Sequence, residues 1–254
     1  MNWLRIIHRT HYTYHRLVHF GEHRLVLRPR EGHDLRVEHL NLIISPAHEI
    51  EWSRDVFGNS VALVQFAEAA DELDIVNDVL VWRPDDAVGP AAAAPSDEWP
   101  VVYDPLETVV AGAYRQSVYP EDGDAVRQWV QQLDFPAPRR AENVLAHLNA
   151  VVHRTFTYRR RQERGVLTPA EVLRTRSGSC RDLATLMLEA ARALGFAARF
   201  ASGYLDCAAS IAGNASTHAW MEAYLPSRGW RGFDPTLGEN TSLQHVVTGV
   251  SNHP

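Results

Sequence analysis

The feature that most constrains this chain is a short polar turn followed at once by a strongly apolar helical segment. The turn is Ser177-Gly178-Ser179. After it, apolar residues recur at the spacing of one helical face: Leu183, Leu186, Met187, Ala190 and Leu194. Three further residues widen this face: Ala184, Leu188 and Ala191. The pattern therefore predicts a central helix that is mostly buried.

The predicted helix begins at a cysteine. Ser179 is a favourable N-cap residue, Asp182 lies where its carboxylate can reach back to the cap, and Gly195 is a suitable end. Cys180 is then the first helical residue, where unpaired N–H groups and the helix dipole favour an anion. A thiol at such a position can react as a thiolate. The alternative is a buried cysteine that acts as a small apolar residue.

Composition limits the classes of protein that the chain can represent. Its 254 residues allow one large domain or two ordinary ones, and 45% hydrophobic with 22% charged residues is typical of a soluble globular protein. The net charge of −6 argues against nucleic acid as a partner. We expect no membrane span, because no run approaches ~18 apolar residues. The amino terminus lacks a signal-peptide pattern and the two cysteines form no disulfide framework, which predicts a cytoplasmic location.

The first third of the chain has the alternation of β-strands. Strands are predicted at residues 25–27, 37–44, 60–66 and 73–82, with turns rich in Gly, Pro and Asn between them. Regular short strands of this kind predict a small β-sandwich-like domain at residues 1–82.

Eight of the 13 histidines lie in this region: His8, His11, His15, His19, His23, His33, His39 and His48. A metal site is the alternative that they raise. Their spacings match no compact ligand motif and no cysteine lies near them. We therefore expect solvated strand faces here, with no metal and no cofactor.

A change of pattern follows the β-rich region. Residues 83–100 are rich in Pro, Ala and acidic residues, which predicts a linker. Beyond it, apolar residues at helical spacing predict two helices. The first contains Val126, Trp129, Val130 and Leu133, and the second contains Val144, Leu145, Leu148, Val151 and Val152. The capping box at residues 168–171 opens a short helix before Ser177. The sequence predicts a strand at residues 197–205 and a loop at residues 207–216.

The carboxyl-terminal part contains a β-hairpin with a histidine and an aspartate. Its strands are residues 217–225 and 229–234, and Pro235 ends the second one. If Leu225 faces Gly229, His218 and Asp234 are diagonal neighbours on one face, about 7 Å apart by Cα. A slip of one residue would place them on opposite faces.

These residues suit one chemistry together. A thiolate nucleophile needs a base that takes and returns a proton, and a carboxylate orients that base and stabilises its charged form. Taken alone, His218 is a half-buried strand histidine and Asp234 opens an Asp-Pro turn. Their combination with Cys180 favours a Cys–His–Asp catalytic triad.

At these residues the sequence resembles the transglutaminase-like superfamily, in particular the bacterial transglutaminase-like proteins that are often described as candidate cysteine proteases. The matching stretches are Gly178-Ser179-Cys180-Arg181-Asp182, Ser202-Gly203-Tyr204, Thr217-His218-Ala219-Trp220 and Gly229-Trp230-Arg231-Gly232-Phe233-Asp234-Pro235-Thr236. The resemblance places the nucleophile at Cys180, the base at His218 and the carboxylate at Asp234. A weaker match at residues 23–30 and 55–59 extends it to an N-terminal β domain.

The resemblance also implies a fold. It is α+β: an N-terminal β-sandwich-like domain (1–82), a linker (83–100) and a papain-like transglutaminase core (101–254), in which the cysteine helix packs on an antiparallel sheet. Related chains continue past the point that matches His245-Val246-Val247 into a further strand, whereas this sequence ends at Pro254. An edge strand is therefore expected to be missing or rerouted.

The function expected from the residues and the resemblance is acyl transfer from a peptide or protein amide through a thioester. Hydrolysis, as in a peptidase or amidase, is favoured over transfer to an amine, as in a transglutaminase. Three alternatives stay open: a non-catalytic binding module with this fold, acyl transfer from a thioester donor as in arylamine acetyltransferases, and a redox couple of Cys180 with Cys207. The sequence leaves the oligomeric state undetermined.

Overall fold

The computed structural model describes residues 3–84, 96–135, 137–161, 163–206 and 217–254. Two compact units divide the chain. The first comprises Met1–Ala91 with Val246–Gly249, and the second comprises Ala92–His245 with Val250–Pro254. Residues 85–95 of the predicted linker and the predicted loop at 207–216 lie outside the described ranges.

The described part of the first unit has six strands in two antiparallel sheets. The sheet orders are β1-β6-β3 and β2-β5-β4. The strands are β1 (Trp3–Val18), β2 (His23–Leu25), β3 (Arg36–Ser45), β4 (His48–Arg54), β5 (Ser60–Phe66) and β6 (Ala70–Trp82). The β-rich character predicted for this region is confirmed, and β5 has the predicted bounds.

Side chains from both sheets meet in one core. Ile44 and Ile75 come from one sheet, and Ala62 and Val64 from the other. This arrangement is sandwich-like, as the sequence predicts. The lengths differ from the prediction of short strands, because β1 has 16 residues and β6 has 13. Their antiparallel pairing runs from Trp3↔Trp82 onward, which satisfies a long ladder of backbone groups.

Five of the eight histidines in this unit are exposed, and His8, His23 and His48 are half-buried. Burial lowers the pKa of His8 below its ordinary value, so this ring favours its neutral form.

The rest of the described chain contains five α-helices, a 3₁₀ turn at Pro120–Asp122 and an antiparallel sheet. The helices are α1 (Pro105–Arg115), α2 (Gly123–Gln131), α3 (Ala141–Thr155), α4 (Pro169–Thr175) and α5 (Cys180–Ala193). The sheet order is β12-β11-β10-β9-β13. Its strands are β9 (Ala198–Leu205), β10 (His218–Leu225), β11 (Gly229–Asp234), β12 (Glu239–Asn240) and β13 (His245–Ser251), while β7 (Thr157–Tyr158) and β8 (Ser177–Gly178) form a short parallel pair.

Helix α5 is the centre of the second unit. Every residue from Asp182 to Arg192 is buried, and the helix packs against β9, β10 and helices α2 to α4. Two of the three charged residues in this stretch compensate each other, because Arg192 donates to Glu189 at 2.7 Å. The predicted central helix on an antiparallel sheet is therefore confirmed, together with its start at Cys180.

Two elements of this part of the chain differ from the sequence prediction. Helix α1 was not predicted, although Asp104 caps it by accepting from the Leu106 N–H and Pro105 occupies its first turn. Its outward face carries exposed Leu106 and Val109, which hide the usual amphipathic pattern. The edge strand β13, which starts at His245, was not predicted either; the further strand of related chains, which was expected to be missing or rerouted, lies beyond this point.

Candidate active site

The turn before α5 is fixed by the carboxylate of Asp182. Its Oδ2 atom accepts hydrogen bonds from the Ser179 backbone N–H at 2.7 Å and from the Ser179 hydroxyl at 2.8 Å. This is the capping contact that the sequence predicts. A Cβ on Gly178 would lie 2.7 Å from the Asp182 Cβ, so only glycine fits there. Cys180 follows as the first residue of the helix and is half-buried, with its thiol free.

The same carboxylate also connects the turn to the preceding loop. Arg161 donates from Nη1 to both oxygens of Asp182, at 2.9 and 3.0 Å, and the Leu167 N–H donates at 2.8 Å. Burial on its own would raise the pKa of Asp182, but hydrogen bonds from Ser179, Leu167 and Arg161 lower it below its ordinary value. A charged, fully buried carboxylate therefore positions the residue before the cysteine.

The hairpin of β10 and β11 has the predicted register. Leu225 faces Gly229 and Met221 faces Phe233. His218 and Asp234 consequently lie on one face, and their side chains meet with 2.7 Å between Nε2 and Oδ2. The structure thus brings together the two hairpin residues that sequence parity paired.

Asp234 is both a turn residue and a histidine partner. Its Oδ1 accepts the backbone N–H groups of Thr236 and Leu237, at 2.8 and 3.3 Å, which is the Asp-Pro turn predicted as the alternative role. Its Oδ2 faces the imidazoles. Burial on its own would raise the pKa of Asp234, but hydrogen bonds from His218 and His245 lower it to about 2.

His218 lies between the carboxylate and the thiol. Its Nε2 is hydrogen-bonded to Asp234, and the residue lines one cleft together with Cys180. Burial on its own would lower the pKa of His218, but the partners Asp234 and Cys180 raise it to about 9. The imidazole is therefore positively charged at neutral pH and can donate a proton toward the sulfur side.

A second histidine reaches the same carboxylate and was not predicted. His245 places Nε2 at 3.1 Å from Asp234 Oδ2. Within the described ranges, one group of side chains could surround a metal ion: His218, Asp234 and His245. Their ligand atoms all lie within 4.8 Å of one another. The hydrogen bonds of both rings to one oxygen account for this closeness. The available sequence signal was slight: a histidine that opens the apolar run His245-Val246-Val247.

The cysteine opens into a cleft with a volume of about 350 Å³. His218 lines the same cleft. Its other walls are apolar at Val166, Phe200 and Ala219 and polar at Arg181, Ser202 and Thr217. A partly apolar cleft in which a thiol and an imidazole lie together is typical of a small-molecule or peptide site.

The pKa of His218 gives a testable dependence of stability on pH. The folded value of about 9 lies above the ordinary 6.5, so the contribution of His218 to stability is fully present below pH 6.5 and is lost as the pH rises through 9. We expect the melting temperature of wild type to fall more between pH 6 and 10 than that of the His218→Gln variant. Thermal unfolding at both pH values measures this, and parallel slopes for the two proteins would contradict the assignment.

Comparison with known proteins identifies the family. A profile of the bacterial transglutaminase-like N-terminal region matches residues 4–81, and a profile of the transglutaminase-like superfamily matches residues 127–235. An uncharacterized protein of Mycobacterium tuberculosis and one of Mycobacterium bovis are each 30% identical over 258 residues, covering 96% of this chain and 82% of theirs. The chain belongs to the bacterial transglutaminase-like proteins.

A solved structure supports the fold assignment. The crystal structure of a candidate cysteine protease from Cytophaga hutchinsonii superposes with a TM-score of 0.74 at 17% identity, covering 99% of this chain and 82% of that chain. The α+β class with an N-terminal sheet region and a papain-like transglutaminase core is thereby confirmed. No helix in the described ranges combines the length and the apolar composition that crossing a bilayer requires.

Proposed function

We propose that the protein is a cysteine-dependent acyl-transfer enzyme that hydrolyses peptide or side-chain amides through a thioester. The observation that carries the proposal is that Cys180 and His218 line the same cleft, while His218 is hydrogen-bonded to the buried Asp234. In this proposal Cys180 is the nucleophile, His218 the acid and base, and Asp234 the group that orients His218. The superfamily match supports a cysteine-based reaction.

The first half of the reaction forms the thioester. The Cys180 sulfur attacks the amide carbonyl, and the carbonyl π electrons move to oxygen. The Cys180 backbone N–H, which has no acceptor within the helix, is placed to stabilise that oxyanion. His218 then donates a proton to the nitrogen as the C–N bond breaks, so the amine leaves neutral and the acyl group stays on sulfur.

The second half returns the enzyme to its starting state. Neutral His218 takes a proton from water while the water oxygen attacks the thioester carbonyl. The C–S bond breaks, the carboxylic acid leaves, and the thiolate–imidazolium pair is restored. Asp234 stays ionised throughout, consistent with its pKa of about 2.

The access of solvent to Cys180 favours water as the acyl acceptor. Cys180 is half-buried and lines the cleft, and a transferase must exclude water to favour an amine. The chain itself contains no lysine, so it offers no side-chain amine for self-transfer. Any amine adduct in an assay therefore comes from the added acceptor, from an amine of the substrate peptides or from an α-amino group.

The function is measurable with a peptide library incubated with and without a primary amine, with product masses as the readout. Cleavage products that gain the mass of water, seen with wild type and absent with Cys180→Ala, are expected. Amine adducts in place of hydrolysis would assign the protein as a transglutaminase. The absence of any product, together with an unreactive Cys180 thiol, would favour the binding-module alternative.

The wider context stays a proposal as well. We propose an N-terminal β domain at residues 1–82, a linker at 83–100 and the catalytic core at 101–254. The substrate is a peptide or protein amide in the cytoplasm, with neither nucleic acid nor membrane as a partner.

A further inference from the structure

We infer that His245 is a positioning residue of this site, which fixes the Asp234 carboxylate toward His218 by donating a hydrogen bond from a neutral ring. The inference rests on the proposed function, because it assigns a role within the same site. His245 touches neither the cleft nor the thiol in the described structure, and it acts through Asp234.

The tautomer of His245 follows from its two ring nitrogens. Nδ1 accepts the backbone N–H of Ser242 at 3.2 Å. A backbone N–H always donates, so Nδ1 carries no proton. Nε2 faces the ionised Oδ2 of Asp234 at 3.1 Å, and a carboxylate oxygen only accepts. His245 is therefore the neutral Nε2–H tautomer.

His245 is fixed independently of His218. Its own backbone N–H donates to the Ser242 carbonyl at 3.0 Å, so the two residues are joined by hydrogen bonds in both directions. The ring is buried and meets the Trp220 ring edge to face, with 5.1 Å between centroids. Trp220 in turn stacks on His218 at 6.3 Å. The donor that His245 offers is thus preorganised.

Asp234 needs this donor because its other partner changes state. The backbone N–H groups fix Oδ1 only, and a carboxylate fixed at one oxygen can still swing its second oxygen away. During the proposed reaction His218 alternates between a charged and a neutral ring, and its attraction for Oδ2 weakens in the neutral state. The constant N–H of His245 retains Oδ2 in place through both states.

The experiment compares His245→Leu, which removes the donor, with His245→Gln, whose amide N–H can reach the same oxygen. Both are made in a Cys207→Ser background so that one thiol remains. The rate of alkylation by iodoacetamide is measured from pH 5 to 10, and its upper step reports the loss of the His218 proton. In wild type we expect this step near pH 9, where the pKa of His218 lies.

Without the His245 N–H, the Asp234 carboxylate is expected to move away from His218, and the pKa of His218 is then expected to fall. The upper step is expected to move down by about one pH unit in His245→Leu and to return in His245→Gln, since one unit corresponds to a tenfold change in proton affinity. An unchanged step in His245→Leu would overturn the inference. So would an upward shift, because it would mean that His245 only weakens the carboxylate as an acceptor.

Two measurements separate this inference from other failures. Nitrogen NMR of the intact wild type is expected to show the Nε2–H tautomer of His245, and the other tautomer overturns the inference even if His245→Leu does not fold. The His218→Ala variant is expected to abolish the upper step. If it leaves the profile unchanged, the proposed function fails; if only His245→Leu leaves it unchanged, the role of His245 alone fails.

Discussion

Replacing Cys180 by alanine is expected to abolish the covalent chemistry and to leave the fold nearly intact. The residue loses one sulfur atom at a half-exposed helix start, so the change in stability is small. Turnover of any amide substrate is expected to fall by a factor on the order of 10⁴ or more, as in other triads. Cys207→Ala is the matched control, because it removes the other thiol and is expected to keep full turnover.

Thiol labelling checks the same prediction without a known substrate. Iodoacetamide at pH 6 is expected to modify Cys180 faster than Cys207, and mass spectrometry of tryptic peptides separates the two positions. Equal, slow labelling of both thiols would contradict an activated Cys180.

His218→Ala is expected to resemble Cys180→Ala in turnover, because the thiolate loses its partner and the leaving amine loses its proton donor. Residues that act as one unit are not additive, so the Cys180/His218 double variant is expected to be little worse than Cys180→Ala alone. Near-normal turnover of His218→Ala at neutral pH would show that the hairpin does not serve the cysteine.

Asp234→Asn tests the carboxylate, because the amide still reaches the ring but adds donors where the structure needs acceptors. The structure shows two N–H donors at each oxygen: His218 and His245 at Oδ2, Thr236 and Leu237 at Oδ1. Whichever way the amide turns, its NH₂ group meets two donors. Reduced stability and a changed ring tautomer are therefore both expected, and a silent variant would contradict this geometry.

The sequence predicts those parts of the site whose geometry is set by residues that are close together in the chain. The capping residues around Cys180 specify a helix start within a few positions. The hairpin brings His218 and Asp234 together because a tight turn fixes register and a two-residue period fixes the face. Both features depend on neighbours in sequence, so pattern alone is sufficient.

The parts that the sequence misses depend on distant contacts. Arg161 lies 21 residues from Asp182, and His245 lies 11 residues from Asp234 across an irregular segment. No periodicity relates the members of either pair, and an arginine or histidine in a polar stretch is more often solvated. Only the fold places them beside the two carboxylates that organise the site.

The largest effect on stability is expected at Asp182. Its side chain is fully buried and accepts from Arg161, Ser179 and Leu167. Asp182→Asn leaves the Arg161 charge without its buried partner and presents an NH₂ group to donors that need an acceptor. Removing one member of such a buried pair costs about 3–5 kcal/mol in the free energy of unfolding. Urea unfolding of the variant at neutral pH measures this loss.

Glu163→Gln provides the matched control, because Glu163 meets the same Arg161 guanidinium from the solvent side at 3.7 Å and is 73% exposed. An exposed pair of this kind contributes about 0–1 kcal/mol, so the control is expected to unfold close to wild type. The folded fraction of Asp182→Asn is also expected to show slower alkylation of Cys180, because the turn before the thiol loses the acceptor that fixes it. If Asp182→Asn unfolds like Glu163→Gln and keeps the wild-type alkylation rate, the buried carboxylate does not position the cysteine, and the helix start alone is sufficient.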